Sequence, residues 1–221
     1  MNAVTSLIQE ISMNKTHITI IFLAILGLVV TAFGVEGEDK TSAAKVQKAT
    51  FAGGCFWCMQ PPFDRAPGVI STVVGYTGGT TKNPTYEEVS SGRTEHAESI
   101  EITFDPTKIS YDQLLDIFWR NIDPTTPNRQ FADVGTQYRT AIFYHGEEQK
   151  KLALESKRKL NQSGKFDSPI ATEIVPASTF YPAEEYHQKY YLKNSAHYKA
   201  YRKGSGREGY LKKTWGDEAE H

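Results

Sequence analysis

The only cysteines of this 221-residue chain, Cys55 and Cys58, are spaced C-x-x-C. Two thiols this close hold a chain together poorly, because the loop they close is tiny and little unfolded-state entropy is removed. They are better suited to redox exchange. Cys55 follows Gly53-Gly54 at the end of a predicted strand and precedes a predicted helix. That position is expected to expose the sulfur and to set it among unpaired helical N–H groups, and both effects favour thiolate. The glycines permit a sharp turn and leave room above the sulfur. A zinc site needs two further ligands, and the six histidines show no matching paired spacing. Haem attachment needs His after the second cysteine, where this chain has Met59. Redox chemistry is what remains.

Glu98 is the second informative residue. Along His96–Phe104 the residues alternate, with Ile100, Ile102 and Phe104 on one face and Ser99, Glu101 and Thr103 on the other. Parity puts Glu98 with the apolar set, where desolvation favours the neutral acid and makes it a proton donor near neutral pH. A strand-end residue emerging at the sheet edge fits the same pattern, and the two readings stay open here. Phe56 and Trp57 beside the nucleophile fit an apolar wall for a substrate group and equally fit core packing. Tyr86 and Tyr138 stand at the boundaries of long loops, where a hydroxyl can point at a ligand. With twelve tyrosines in the chain, position alone does not single them out.

The elements that must position these groups read as follows. Lys48–Ala52 is a short predicted strand, and Val69–Tyr76 a buried one rich in β-branched residues. His96–Phe104, Tyr138–Tyr144 and Ala171–Val175 are further strands. Phe56 to about Phe63 reads as a helical turn or two, disturbed by Pro61-Pro62. Ser110–Asn121 is a helix opened by a Ser110/Gln113 capping box. Its apolar stripe is Tyr111, Leu114, Leu115, Phe118, Trp119 and Ile122. Asp123–Thr136 is long and irregular. Glu147–Leu160 is a helix with acids first and bases last, and Pro182 is expected to start another, rich in Tyr and His. Strands and helices alternating in one domain indicate α/β or α+β.

Charge excludes some partners. The chain carries 25 basic and 26 acidic residues, a balance that disfavours nucleic acid. With 39% apolar and 12% aromatic residues it is suited to a packed core. No long repeat is visible. Ile18–Phe33 is a mostly apolar run that spans about 24 Å as a helix, short of the roughly 30 Å hydrocarbon core. It reads as the core of a signal peptide with Lys15 as its positive flank and cleavage after Ala32; the alternative is a membrane anchor. Translation from Met13 gives the more compact leader. Residues 1–33 are thus expected to be an export signal or anchor and 34–47 a linker. A folded domain is expected over 48–216, followed by an acidic tail over 217–221. The expected location is periplasmic or otherwise extracytoplasmic, with membrane contact only through the N-terminal segment, and the default oligomeric state is monomer.

Five motifs occur in order: Gly53-Gly54-Cys55-Phe56-Trp57, Gly75-Tyr76-Thr77-Gly78-Gly79, Asn83-Pro84-Thr85-Tyr86, His96-Ala97-Glu98, and Asp133-Val134-Gly135-Thr136-Gln137-Tyr138-Arg139. Together they closely resemble the type A peptide methionine sulfoxide reductases, over about Lys48–Gly216. The resemblance implies an α+β fold, a two-layer sandwich with a mixed central sheet, a ferredoxin-like core and long irregular loops. It implies Cys55 as nucleophile, Phe56 and Trp57 as the pocket for the sulfoxide methyl group, and Glu98 as the proton handler. Tyr86 and Tyr138 are then hydrogen-bond donors to the sulfoxide oxygen, and Asp133 supports the pocket. The substrate implied is the S epimer of methionine sulfoxide, free or in oxidised proteins, so that the activity is repair after oxidative stress. Sulfenic acid at Cys55 would condense with Cys58, and an external thioredoxin-like dithiol would reduce the disulfide. No metal or organic cofactor is implied. The chain departs from many relatives at Gln60, where they have glutamate, and in lacking C-terminal resolving cysteines. The rivals are a general thiol–disulfide oxidoreductase and an inactive module that binds oxidised methionine.

Overall fold

The computed structural model describes residues 46–216; the expected export segment, the alternative start at Met13 and the acidic tail lie outside the described residues. The described residues run β1 (Gln47–Gly53), α1 (Phe56–Asp64), β2 (Val69–Thr77), α2 (Tyr86–Ser90), β3 (Ala97–Phe104) and α3 (Tyr111–Trp119). A short hairpin of β4 (Arg129–Gln130) and β5 (Asp133–Val134) leads to β6 (Thr140–Tyr144), α4 (Glu147–Gln162), β7 (Glu173–Pro176) and β8 (Tyr181–Pro182). The chain closes with α5 (Tyr190–Lys193), α6 (Ser195–Gly204) and α7 (Arg207–Trp215).

Six strands form one sheet in the order β7-β6-β1-β3-β2-β8. β6 and β7 are parallel and every other pair is antiparallel, so the sheet is mixed. Its centre is β1-α1-β2-β3-α3-β6 with spatial order β6-β1-β3-β2, the ferredoxin-like split βαβ arrangement. Strand alternation explains the two layers. Phe51, Ile100, Ile102, Phe104 and Ile142 form one core with Phe56, Met59 and Phe63 of α1 and Leu114, Leu115 and Phe118 of α3. Phe51 stacks between Phe63 and Phe118, with ring centroids 5.6 and 5.0 Å away. The opposite face carries small residues, Ala52, Ala97 and Ala141, beside Phe143. The Ser110/Gln113 capping box forms, and all six residues of the apolar stripe behind it are buried.

Four expectations need correction. Pro61 and Pro62 lie inside α1, which continues to Asp64. They remove the N–H donors for the carbonyls of Trp57 and Cys58, but the burial of Met59 and Phe63 keeps the helix in place. β2 is buried only in its second half: Ile70 and Ser71 are exposed beside an irregularity in the ladder between Val69 and Ser71. Tyr138 belongs to a 3-10 turn, Thr136–Tyr138, and the strand begins at Thr140. Pro182 starts no helix; it pairs with Gly75 as part of β8 at the sheet edge, where a residue without an N–H is tolerated. The Gln188 amide fixes that edge by accepting from Val74 N (3.0 Å) and donating to Val74 O (2.9 Å).

Candidate active site

The ladder between β1 and β3 ends at Ala52–Ser99, because the chain leaves the sheet at Gly53-Gly54. Gly54 turns in the left-handed region at φ +78°, and a Cβ there would run into Gln130. The turn carries the start of α1 to the next residue of β3, Glu98. One of the N–H groups without a helical partner, that of Phe56, donates to Glu98 Oε2 at 3.1 Å. Glu98 is 2% exposed, so the sheet-edge reading is excluded. Burial pushes its carboxyl up to about 8, although the Phe56 N–H opposes the rise. The acid is neutral at pH 7.

The two thiols occupy the N-cap and third positions of α1, the spacing at which a capping-box pair meets. They hydrogen-bond each other, and Cys58 N donates to Cys55 O at 3.0 Å. The expected exposure of Cys55 is not found: it is 6% exposed and Cys58 3%. Burial pushes the Cys55 thiol up, reinforced by Cys58 and Glu98, rather than down as its helix position led us to expect. The thiolate tendency falls on Cys58, brought down to about 7 by the hydrogen bond from Cys55 and by the charges of Arg207 and Arg202. Arg207 is itself buried, donating to the carbonyls of Gly53 (2.9 Å) and Asn121.

Cys55, Phe56, Trp57, Tyr86, Glu98, Asp133 and Tyr138 converge on one cavity of about 70 Å³. Seven of the eight expected site residues are thus brought together, and Cys58 lies outside this lining. Phe56 serves both readings, being 1% exposed in the core and lining the cavity. Burial raises the Tyr86 phenol to about 12 and pushes that of Tyr138 up as well, so both are protonated donors. Asp133 is raised by burial, against the opposing effect of its hydrogen bond from the Tyr201 hydroxyl.

Tyr201 of α6, which sequence reasoning missed, lines the cavity beside Cys55 and donates its hydroxyl to Asp133 Oδ2. His187 was missed too. Its Nδ1 accepts from Trp57 Nε1 at 3.0 Å, while Tyr190 stacks on the indole at 3.9 Å and 8°. Gln60, at the position where many relatives carry glutamate, is fully buried as a neutral bridge. It donates to Thr72 Oγ1 (3.0 Å) and accepts from Lys189 N (2.7 Å).

A nucleophilic thiol, a neutral acid and hydroxyl donors around an apolar slot form a set suited to sulfoxide reduction. The family model described as peptide methionine sulfoxide reductase matches residues 47–219. The chain belongs to this family. It is 58% identical over 174 residues to the peptide methionine sulfoxide reductase MsrA of Bacillus licheniformis, covering 79% of this chain and 96% of that protein. Among solved structures it is similar to Mxr1 of Saccharomyces cerevisiae in reduced form, with TM-score 0.65 and 36% identity over 69% of this chain and 87% of the other. It is also similar to methionine sulfoxide reductase A of Corynebacterium diphtheriae, with TM-score 0.61 and 38% identity over 68% and 76%. The protein is therefore a peptide-methionine (S)-S-oxide reductase, an oxidoreductase that reduces methionine sulfoxide at the expense of thiols.

Proposed function

We propose that the reduction divides between the two cysteines, with Cys55 taking the oxygen and Cys58 returning the site to a reducible state. The Cys55 sulfur attacks the sulfoxide sulfur. Glu98 gives its proton to the departing oxygen, Tyr86 and Tyr138 donate hydrogen bonds to that oxygen, and the Cys55 thiol proton passes to Glu98. The hydroxyl then passes from the methionine sulfur to the Cys55 sulfur as the bond between the two sulfurs breaks, so that methionine leaves, Cys55 becomes sulfenic acid, and Glu98 is again neutral. Phe56 and Trp57 enclose the methyl group, and Asp133 holds Tyr201 against the nucleophile. The Cys58 thiolate then attacks the sulfenic sulfur, and the leaving oxygen takes a proton from Glu98, which regains one from solvent, so that water is released and a Cys55–Cys58 disulfide forms. A thioredoxin-like dithiol reduces that disulfide by exchange.

The observation that carries this reading is the buried, neutral Glu98 opening with Cys55 into the same slot. A cavity of about 70 Å³ suits a methylsulfinyl end and not the bulky disulfide of another protein, which counts against the general oxidoreductase. The test is to incubate pre-reduced protein with methionine S-sulfoxide and no dithiol. One methionine per chain, with the disulfide mapped between Cys55 and Cys58, is expected; methionine without that disulfide overturns the role of Cys58. We further propose that the apolar Ile18–Phe33 run exports the domain to an extracytoplasmic compartment. Fractionation of cells producing the full chain checks this, and mature protein retained with cytoplasmic markers contradicts it.

A further inference from the structure

The two sulfurs open onto different surfaces. Cys55 lines the small substrate cavity and Cys58 does not. Cys58 instead lines a separate groove of about 770 Å³, of which Cys55 is not part. The groove runs between the second half of α1, one side of α3 and α6. Pro61, Pro62, Ala66 and Ile117 give it apolar walls, and Arg65, Lys108, Arg120 and Arg202 give it basic ones, against one carboxylate, Asp116. An apolar centre with a charged rim is the anatomy of a protein interface. Because Cys58 is only 3% exposed, a thiol that protrudes from its own surface is needed to reach it.

We propose that this groove is where the reductant docks, and that the incoming thiolate attacks Cys58, not Cys55. This rests on the reading above that a protein dithiol closes the cycle. The partner fitted by the groove carries its nucleophilic cysteine on an apolar surface rimmed by carboxylates, which the basic wall attracts and orients. In the exchange, a bond forms between the partner sulfur and Cys58 while the Cys55–Cys58 bond breaks. Cys55 departs with the electron pair and takes its proton from neutral Glu98, which faces the same cavity. The partner's second thiolate then attacks its own sulfur in the mixed disulfide, releasing Cys58 and leaving the partner oxidised. Access decides which sulfur is attacked, because the approach to Cys55 lies through the sulfoxide slot. Oxidant and reductant thus enter by separate mouths, and neither has to vacate the site of the other.

The experiment uses the full chain oxidised by methionine S-sulfoxide, mixed with a thioredoxin whose second active-site cysteine is replaced by serine, then alkylated and peptide-mapped. The expected adduct joins the thioredoxin to Cys58 and leaves Cys55 alkylated. An adduct on Cys55 overturns the inference while leaving the dithiol cycle intact. No adduct on either sulfur, with dithiothreitol still reducing the protein, overturns the protein-dithiol reading and the docking surface with it. The second arm is Arg65→Glu with Lys108→Glu. It is expected to raise the KM for intact thioredoxin ~10-fold without changing methionine release in a single turnover or reduction by dithiothreitol. An unchanged KM shows that the groove is not the docking face.

Discussion

Two of the regions around the active site are held by different physics. The ferredoxin-like frame supplies Cys55, Phe56 and Trp57 from the point where β1 stops and α1 begins, and Glu98 from β3 beside it. The C-terminal segment after β8 supplies His187, Tyr190, Tyr201 and Arg207 as a polar and aromatic strap laid over that frame. The frame fixes what the reaction can be, because a carboxyl is buried on a core face and a thiol caps a helix. The strap stacks on Trp57, brings Tyr201 beside Cys55 and places a guanidinium near Cys58. The comparison teaches that burial of one acid creates the chemistry, whereas the strap tunes protons already in place.

That division is sharpened most by Glu98→Gln. The variant keeps shape and hydrogen bonding but has no proton to give, and single-turnover methionine release is expected to fall by roughly 10²–10³-fold. Its stability moves the other way. The unfolded carboxyl titrates near 4.5 and the folded one at about 8, so between these values the folded state holds a proton that the unfolded chain has released. Native stability therefore drains away as pH rises through this window, and Glu98→Gln escapes the loss, gaining about 4 kcal/mol in urea melts at pH 8 and little at pH 4. Equal stability of the two proteins at both pH values contradicts the buried neutral acid.

In the strap, Arg207→Met leaves the Gly53 and Asn121 carbonyls buried without this donor. A loss of ~3 kcal/mol is expected in the same melts. Cys58 also loses one of the two cations that help to lower its thiol. Disulfide closure, followed by rapid-quench thiol counting, should slow at pH 7 while the first methionine is released as before. A slower first release instead places Arg207 in the chemistry of the frame.

The smaller effects separate hydroxyls from protons. Tyr201→Phe keeps the ring and removes the hydroxyl that lies beside Cys55 and donates to Asp133. About tenfold slower release is expected, the equivalent of one hydrogen bond. In Cys58→Ser, the pH profile of single-turnover release should be flat through 7 and fall above about 8 as Glu98 ionises. In the unmodified protein, turnover should instead carry a rising limb below the ordinary thiol range as Cys58 ionises, and then fall. A rising limb in Cys58→Ser assigns the lower transition to some other group.

The frame was the part legible in sequence. The 3.6-residue stripe of α3 and the alternation of β3 report burial directly, and the parity of β3 grouped Glu98 with the apolar set while leaving open a position at the sheet edge. The strap has no such periodicity. Its aromatic residues pack against Trp57 across more than a hundred residues of chain, so Pro182 suggested a helix where an edge strand forms. The burial of Cys55 escaped notice for the same reason: its helix position is local, while Tyr201 and the other cover over it come from far along the chain. Tyr86 and Tyr138 were singled out by motif resemblance, since nothing in their spacing distinguishes them from the other tyrosines.

The most direct test of the central claim is single-turnover release of methionine from a peptide containing methionine S-sulfoxide, comparing pre-reduced Cys55→Ser and Cys58→Ser. One equivalent from Cys58→Ser and none from Cys55→Ser is the predicted result, with repeated turnover on added dithiol only in the unmodified protein. One equivalent from Cys55→Ser would contradict the assignment of Cys55 as the sulfur that takes the oxygen.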